Sequence, residues 1–206
     1  IPARNEIERL PHTIENLLNH ENTNLRVFVA DDGSTDGTAE WVRNYAHRDP
    51  RLQLFQAQSQ TPGKPGTLAA LVSHLEESKT ALPSALLFLD ADMTLDVNLL
   101  GGLHQLLMQG SYDALSGAPR LDCQTFSEKL IVPAFAALAA ALYPPSDVHQ
   151  GKKAFLNGQL IYIRRQALTK AGGWSSVAQE ILEDVALAKR LKDVQCSIGL
   201  VDLRPY

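Results

Sequence analysis

Two short apolar runs that end in carboxylates constrain this chain more than any other feature. The first, "LRVFVA" (25–30), leads into "DDGSTDGT", and the second, "SALLFL" (84–89), leads into "DADM". Short runs of this kind are typical of buried strands. Apolar residues at helical spacing follow each run, and alternating strands and helices predict an α/β domain whose parallel strands are joined by right-handed crossovers.

The rest of the chain continues this alternation less regularly. Apolar spacing predicts helices over about 6–20, after Thr38, from Leu68, from Leu99 and over 179–193. "RLQLFQA" (51–57), "FLNGQLIYIRRQAL" (155–168) and "QCSIGLVD" (195–202) predict strands, the second leading into a helix; "QTPGKPGTL" (60–68) predicts a loop and "AGGW" (171–174) a turn. A chain of 206 residues is long enough for one large domain.

Charge and cysteine content exclude several classes of protein. The net charge is −4 and no basic run occurs, so the pattern does not favour a nucleic-acid partner. Cys123 and Cys196 lie far apart and predict reduced, buried thiols rather than a metal site or a disulfide framework. The abrupt start "IPARNE" and the end "GLVDLRPY" suggest a segment of a longer polypeptide.

Carboxylates at strand ends are candidates for ligand binding, because open α/β sheets bind ligands beyond the carboxyl ends of their strands. Asp90 and Asp92 are two residues apart and share one side of an extended backbone, where they could meet a hard divalent cation and substrate phosphates. Asp31 and Asp32 end the earlier strand. Turn formation or helix capping is the alternative for each pair.

A third acidic pair, Glu183 and Asp184, falls near the start of a predicted helix. Acidic residues in a first helical turn are favoured by the helix dipole, which is one explanation for the pair. The other explanation is catalytic, because an ionised aspartate can take a proton from an attacking hydroxyl group.

Taken in order, these motifs resemble the family 2 glycosyltransferases with the GT-A fold. The likeness runs from strand-"DDGSTDGT"-helix through "GKPGTL" and strand-"DAD" to "NGQLIYIRRQAL", "AGGW" and "LEDVALAKRL". It implies one α/β domain with a mostly parallel sheet, a nucleotide-sugar-binding half (1–93) and an acceptor and catalytic-base half (94–206). The stretch "KLIVPAFAALAAALYPP" is similar to the hopanoid-associated, membrane-linked branch, whose relatives are of the ceramide-glucosyltransferase type.

The resemblance also implies a role for each matching residue. The donor-binding set is Pro2, Ala3, Arg4, Glu6, Asp31, Asp32, Lys64, Asp90 and Ala91. Asp32 would bind a uracil ring, and Asp90 would face the ribose and donor sugar. Asp92 would ligate Mg²⁺ or Mn²⁺ through the diphosphate. Asp184 would be the catalytic base, with Glu183 beside it, and Gly158 and Trp174 would lie on the acceptor side. The residue types leave alternatives open: a solvated lysine, a strand bulge at the glycine and core packing of the tryptophan.

The implied reaction is an inverting, metal-dependent transfer of a sugar from a nucleotide-sugar donor, with UDP favoured, to the hydroxyl group of an acceptor, and lipids are among the acceptors considered. The resemblance also implies a catalytic domain at the cytoplasmic face of a membrane. A sugar nucleotidyltransferase and a non-catalytic nucleotide-sugar-binding module are the alternatives, although the glycine-rich, basic pyrophosphate loop of the former is missing. The P-loop pattern is not matched either. The Gln-x-x-Arg-Trp motif of processive and lipid-linked members is absent from these residues, which bears on acceptor binding.

The apolar stretch from Leu130 to Tyr143 is too short to span a bilayer. It predicts either a buried helix or a helix that lies at a membrane surface beside a lipid acceptor.

Overall fold

The structure, a computed structural model, describes residues 1–19, 25–57, 63–78, 83–118, 123 and 125–203. The strands are β1 (Pro2–Ala3), β2 (Val27–Asp31), β3 (Leu52–Gln56), β4 (Ala85–Leu89), β5 (Ala114–Ala118), β6 (Leu160–Arg164) and β7 (Ile198–Asp202). The helices are α1 (Leu10–Leu18), α2 (Thr38–Ala46), α3 (Lys64–Glu77), α4 (Val97–Met108), α5 (Phe126–Leu142), α6 (Pro145–His149), α7 (Arg165–Lys170) and α8 (Glu183–Asp193), with a 3-10 turn at Trp174–Val177. Residues 60–62 of the expected loop lie outside the described part.

A parallel sheet forms the first part of the molecule, as the sequence predicts. β2 lies between β1 and β3 and runs parallel to both. Val27 and Val29 of β2 are buried, and α1 covers them with Leu10 and Ile14. The carboxyl ends of β1 and β2 therefore lie side by side, and Asp31 is the last residue of β2.

The second sheet, in the order β4-β6-β5-β7, corrects the expectation that β4 continues a parallel series. β6 lies between β4 and β5 and is antiparallel to both, whereas β5 and β7 are parallel. Sequence analysis missed β5 because "ALSGA" holds small residues and no β-branched or aromatic one. Packing creates this strand: a Cβ at Gly117 would lie 2.5 Å from the Val201 carbonyl oxygen, so β7 passes too close for any other residue.

The two sheets share one hydrophobic core. Val29 of the first sheet belongs to the same buried cluster as Leu89 and Leu160 of the second. This shared core fixes the ends of β2 and β4 relative to each other, and both ends carry the carboxylates singled out above.

Helix α5 is the element that packs least. A capping box starts it: the Thr125 hydroxyl accepts from the Glu128 N–H, and the Glu128 carboxylate accepts from the Thr125 N–H. None of its 17 residues, all within the described part, is buried. The buried-helix alternative for the apolar stretch is therefore not what the structure shows.

Candidate functional site

The two carboxylates at the end of β2 have different environments. Asp31 is 2% exposed, and its carboxylate accepts the Ser34 N–H at 3.3 Å, so it closes the turn rather than facing a ligand. The Asp32 side chain is 15% exposed and lies 3.6 Å from Arg4 Nη1. The Gly63 N–H also donates to Asp32 Oδ2 at 3.1 Å. Asp32 is therefore the more exposed member of the pair and the one that is available to a ligand.

Polar contacts hold the segment after β1 against the "DDGSTDGT" turn. The Asn5 N–H donates to Ser34 Oγ at 2.9 Å, and the Thr35 N–H donates to Asn5 Oδ1 at 2.8 Å. The Ile7 N–H donates to Asp36 Oδ2 at 3.0 Å. Asn5 has a φ of 56°, a left-handed conformation that asparagine tolerates well. Sequence analysis did not identify Asn5, although an asparagine in this polar segment could have been recognised as a candidate for turn contacts.

The Asp36 carboxylate gives a testable pH dependence of stability. Burial raises the pKa of Asp36, but hydrogen bonds from Thr38 and the Ile7 N–H outweigh it, so the pKa lies below its ordinary value of 3.8. Because the folded-state pKa is depressed, the stabilisation is present above the ordinary value and is lost as the pH falls below about 3.8. We expect Asp36→Asn to lower the urea midpoint at neutral pH and to make it less sensitive to acid. An unchanged acid dependence in the variant would contradict this role.

The carboxylates after β4 are separated by a buried alanine. Ala91 is 6% exposed, and its carbonyl accepts the Thr13 hydroxyl of α1 at 2.8 Å. This contact anchors the middle of the "DAD" turn to the core. Asp90 on one side is half-buried and Asp92 on the other is exposed, so both carboxylates emerge from the turn into solvent-accessible space.

Lys64 connects the two strand ends to the second half of the chain. Its Nζ donates to Asp90 Oδ1 at 2.6 Å and to the Gly158 carbonyl at 2.8 Å. The residue before it, Gly63, donates to Asp32 and has a φ of 103°, which favours glycine. The Lys64 side chain is 25% exposed, so it is a partly buried bridge and not the solvated loop lysine that sequence analysis left open.

Gly158 also contacts Asp184, in the first turn of α8, and so brings this carboxylate close to Lys64. Its N–H donates to Asp184 Oδ2 at 2.9 Å, while Asp184 Oδ1 accepts the N–H of Val185 at 2.8 Å. A Cβ at Gly158 would lie 3.3 Å from both Asp184 Oδ2 and Lys64 Nζ. A Cβ here would push Asp184 Oδ2 or Lys64 Nζ away by a few tenths of an ångström, so glycine favours the close approach of this carboxylate and this amine.

A buried hydroxyl supports the Gly158 loop from below. Ser116 of β5 is fully buried, and its Oγ accepts the Asn157 N–H at 2.7 Å and donates to the Leu160 carbonyl at 2.8 Å. Sequence analysis missed Ser116, because nothing near it in sequence indicates that β5 packs beneath a loop 41 residues away.

The remaining candidate residues occupy supporting positions. Ala3 is buried, and its carbonyl accepts the Asp32 N–H at 2.9 Å beside the half-buried Pro2. The Glu6 N–H donates to the Thr38 hydroxyl at 2.9 Å. Glu183 is half-buried in the first turn of α8.

Trp174 does not line the acceptor side in this structure. It is 1% exposed and packs edge-on against Phe88, with 5.1 Å between the ring centroids. Its position corresponds to the packing role that the sequence left open, because a fully buried indole cannot contact an acceptor.

The carboxylates at this site suit a divalent cation that is also ligated by a phosphate group of the substrate. In the described part of the chain, no group of three or more His, Cys, Asp and Glu side chains is placed to hold a metal ion. Asp90 already accepts from Lys64, which leaves the exposed Asp92 as the available carboxylate of this turn. Mg²⁺ is commonly bound by one or two carboxylates together with water and substrate phosphates, and that chemistry matches a single exposed aspartate.

Comparison with known sequences gives a family match over most of the chain. Residues 1–172 match the family model described as Glycosyl transferase family 2. Among curated proteins, a protein named as an uncharacterized glycosyltransferase from Rickettsia bellii (strain RML369-C) is 34% identical over 62 residues, which are 30% of this chain and 9% of that protein.

Solved structures with this fold include enzymes crystallised with nucleotide sugars. Mannosyltransferase PcManGT from Pyrobaculum calidifontis, in complex with GDP-Man and Mn²⁺, has a TM-score of 0.67 at 20% identity and matches 98% of this chain and 53% of its own. A fragment of TarS from S. aureus, in complex with UDP-GlcNAc, has a TM-score of 0.64 at 18% identity and matches 97% of this chain and 54% of its own. Glucosyl-3-phosphoglycerate synthase from Mycobacterium tuberculosis, in complex with UDP, has a TM-score of 0.61 at 19% identity, with 98% of this chain and 68% of its own matched. The chain thus spans about half the length of the first two.

Proposed function

Because this chain belongs to glycosyl transferase family 2, we propose that it transfers a sugar from a nucleotide-sugar donor to a hydroxyl acceptor. Its fold is the GT-A fold, a mixed α/β arrangement with a parallel sheet flanked by helices. One observation carries the proposal: Gly63, Lys64 and Gly158 link Asp32, Asp90 and Asp184, which come from distant parts of the sequence, in one connected set of hydrogen bonds.

The donor side consists of the ends of β1, β2 and β4. Asp32 offers a partly exposed carboxylate that can accept an imide N–H of a nucleobase, and Arg4 lies beside it. Uracil is the base that we favour, and the UDP and UDP-GlcNAc bound to two structural neighbours support it. The GDP-Man bound to PcManGT makes guanine the alternative to test.

Asp184 is the proposed general base. The backbone N–H groups of Gly158 and Val185 hold its two oxygens, which fixes the orientation of the carboxylate before an acceptor arrives. It would take the proton from the acceptor hydroxyl as that oxygen attacks the anomeric carbon and the bond to the diphosphate breaks. A single in-line displacement of this kind inverts the anomeric configuration. Because the carboxylate is already oriented, less entropy is lost when the acceptor binds, and this raises the rate of transfer.

Asp92 would hold the divalent cation, Mg²⁺ or Mn²⁺, together with the diphosphate of the donor. A cation bound there supplies Lewis-acid stabilisation of the negative charge on the leaving diphosphate. Asp90 has a different task, because its contact with Lys64 ties the "DAD" turn to the Gly158 loop.

The acceptor that we propose is a lipid hydroxyl, at the cytoplasmic face of a membrane. The exposed apolar surface of α5 supports a lipid setting, and so does the likeness of its sequence to the hopanoid-associated, ceramide-glucosyltransferase-type branch. Ile181 and Leu182, which are 93% and 65% exposed immediately before Glu183 and Asp184, give the base an apolar border that suits an amphiphilic acceptor.

A donor panel tests this function directly. We expect hydrolysis of a UDP-sugar in the presence of Mn²⁺, with less hydrolysis of GDP- and dTDP-sugars, and we expect EDTA to abolish it. Sugar nucleotide synthesis from a sugar phosphate would instead indicate a nucleotidyltransferase, and binding without hydrolysis or transfer would indicate a non-catalytic module.

Asp92→Asn is the variant that tests the metal assignment. Because an amide is a weaker ligand for a hard cation than a carboxylate, we expect the Mn²⁺ concentration for half-maximal donor hydrolysis to rise about tenfold or more. Asp96→Asn is the matched control, since Asp96 caps α4 by accepting the Asn98 N–H. An unchanged Mn²⁺ dependence in Asp92→Asn would exclude Asp92 as the ligand.

A further inference from the structure

The Gly158 loop, residues 157–160, is a short turn that leads into β6. The Leu160 N–H donates to the Asn157 carbonyl at 3.2 Å and closes the turn. Within it, the Gln159 N–H donates to Asn157 Oδ1 at 3.1 Å. The side chain and the carbonyl of one residue, Asn157, therefore give the loop a defined shape.

Main-chain groups of the Gly158 loop contact three candidate site residues. The Gly158 N–H donates to Asp184 Oδ2 at 2.9 Å, and the Gly158 carbonyl accepts from Lys64 Nζ at 2.8 Å. The Gln159 carbonyl accepts the Asp90 N–H at 3.1 Å. A shift of the loop would therefore move the proposed base, the lysine and the start of the "DAD" turn together.

One hydroxyl group fixes both ends of the Gly158 loop. Ser116 Oγ accepts the Asn157 N–H at 2.7 Å and donates to the Leu160 carbonyl at 2.8 Å, with the Asn157 carbonyl also 3.1 Å away. Ser116 is fully buried, and its strand β5 is paired on both sides, with Ile161 of β6 and Leu200 of β7 opposite it. A hydroxyl on a rigid element, away from water, holds its partners in one geometry.

We propose that Ser116 is a positioning residue for sugar transfer, whose hydroxyl holds the Gly158 loop where the loop orients Asp184 and Lys64. This inference rests on the proposed function and adds a residue that acts through the loop rather than on the substrate. Without the hydroxyl, the Asn157 N–H and the Leu160 carbonyl lose a buried partner, and the loop shifts to satisfy them.

Ser116→Ala tests this role with the nucleotide sugar that the parent hydrolyses fastest, in the presence of Mn²⁺. We expect kcat to fall about tenfold, less than the roughly hundredfold that a 1 Å misplacement can cost, because Lys64 still holds the loop at Gly158. Affinity for the corresponding nucleoside diphosphate, measured by calorimetric titration, should change by less than about threefold, because Asp32 keeps its contacts. Ser116→Thr retains the hydroxyl on a side chain that suits a strand and should restore most of kcat.

Ser197→Ala is the matched control. Ser197 Oγ donates to Asp113 Oδ2 at 3.0 Å, where these residues directly precede β7 and β5. The same substitution thus removes a hydroxyl that joins the same two strands, at the end of β5 away from the Gly158 loop. It should lower the thermal midpoint but retain the kcat of the parent, and the rates are compared at a temperature at which every variant is folded.

Hydrogen exchange gives a second readout that needs no turnover. We expect the Gly158 amide to exchange faster in Ser116→Ala than in the parent or in Ser197→Ala. Unchanged exchange would overturn the inference, and so would equal kcat in the two alanine variants, or a folded Ser116→Thr as slow as Ser116→Ala. A parent that hydrolyses no nucleotide sugar of the donor panel would remove the proposed function and this inference with it, whereas an active parent with any of the other results removes only the role of Ser116.

Discussion

Asp184→Asn should lower the rate of sugar transfer by about 10²–10⁴-fold, the usual contribution of a general base, while UDP affinity changes by less than about twofold. The amide oxygen can still accept the Gly158 N–H, so the loop and the fold are retained, but an amide does not take a proton from an acceptor hydroxyl. Product formation measures the first effect, and calorimetric titration with UDP measures the second.

Asp193→Asn is the control for this substitution, because it makes the same chemical change at the exposed far end of α8. It should retain the transfer rate of the parent. Full activity in Asp184→Asn would exclude this carboxylate as the base, whereas joint loss of UDP binding would assign it to donor binding.

Lys64→Met is expected to lower kcat/KM for donor hydrolysis by about a hundredfold, in the range found when one positioned electrostatic donor is removed from an active site. Methionine keeps most of the apolar stem but removes the ammonium group that joins Asp90 to the Gly158 carbonyl. The loss leaves the Asp90 carboxylate uncompensated at the place where the negatively charged diphosphate is proposed to bind. Steady-state kinetics and UDP titration measure the effect.

Lys189→Met, an exposed position on α8, is the matched control and should retain the parent kinetics. If Lys64→Met leaves both the kinetics and UDP binding unchanged, the bridge is only a structural contact and Lys64 is excluded from the proposed donor site.

The sequence predicted the parts of the fold that depend on local pattern. The apolar run before Asp31 forms the mostly buried strand β2, and the run before Asp90 forms β4, which is buried at Phe88 and Leu89. The expected α/β class is confirmed. The stretch Leu10–Leu18 is helical with the apolar face that its spacing indicated. Local pattern sufficed here because each run carries its own hydrophobic period.

Features that depend on distant packing were not predictable in the same way. The direction of β4 relative to its neighbour is set by β6, some 70 residues later, which inserts beside it in the opposite sense. β5 has no strand-like composition, and Ser116 within it acquires its role from a loop that the chain reaches only at Asn157. Trp174 was assigned to the acceptor side by resemblance, and its burial against Phe88 follows from tertiary packing alone.

The candidate site shows the same division. Sequence analysis identified four aspartates at the ends of strands and helices: Asp32, Asp90, Asp92 and Asp184. In the structure, Gly63 donates to Asp32, Lys64 donates to Asp90, and Gly158 donates to Asp184. The distinct burial of Asp31 and Asp32 could not be predicted, because adjacent residues of one strand end differ only in which face of the sheet they meet.

The connection between Lys64 and Gly158 has a consequence for how such proteins diverge. On the proposed acceptor side, the bridge uses main-chain atoms: the Gly158 carbonyl accepts from Lys64 Nζ and the Gly158 N–H donates to Asp184, the proposed base. Side chains elsewhere in that half can therefore change without breaking this bridge, which would keep the proposed base aligned with the proposed donor site. Hybrid proteins that combine this nucleotide half with the second half of a distant relative should stay in register wherever the relative keeps a glycine at this position.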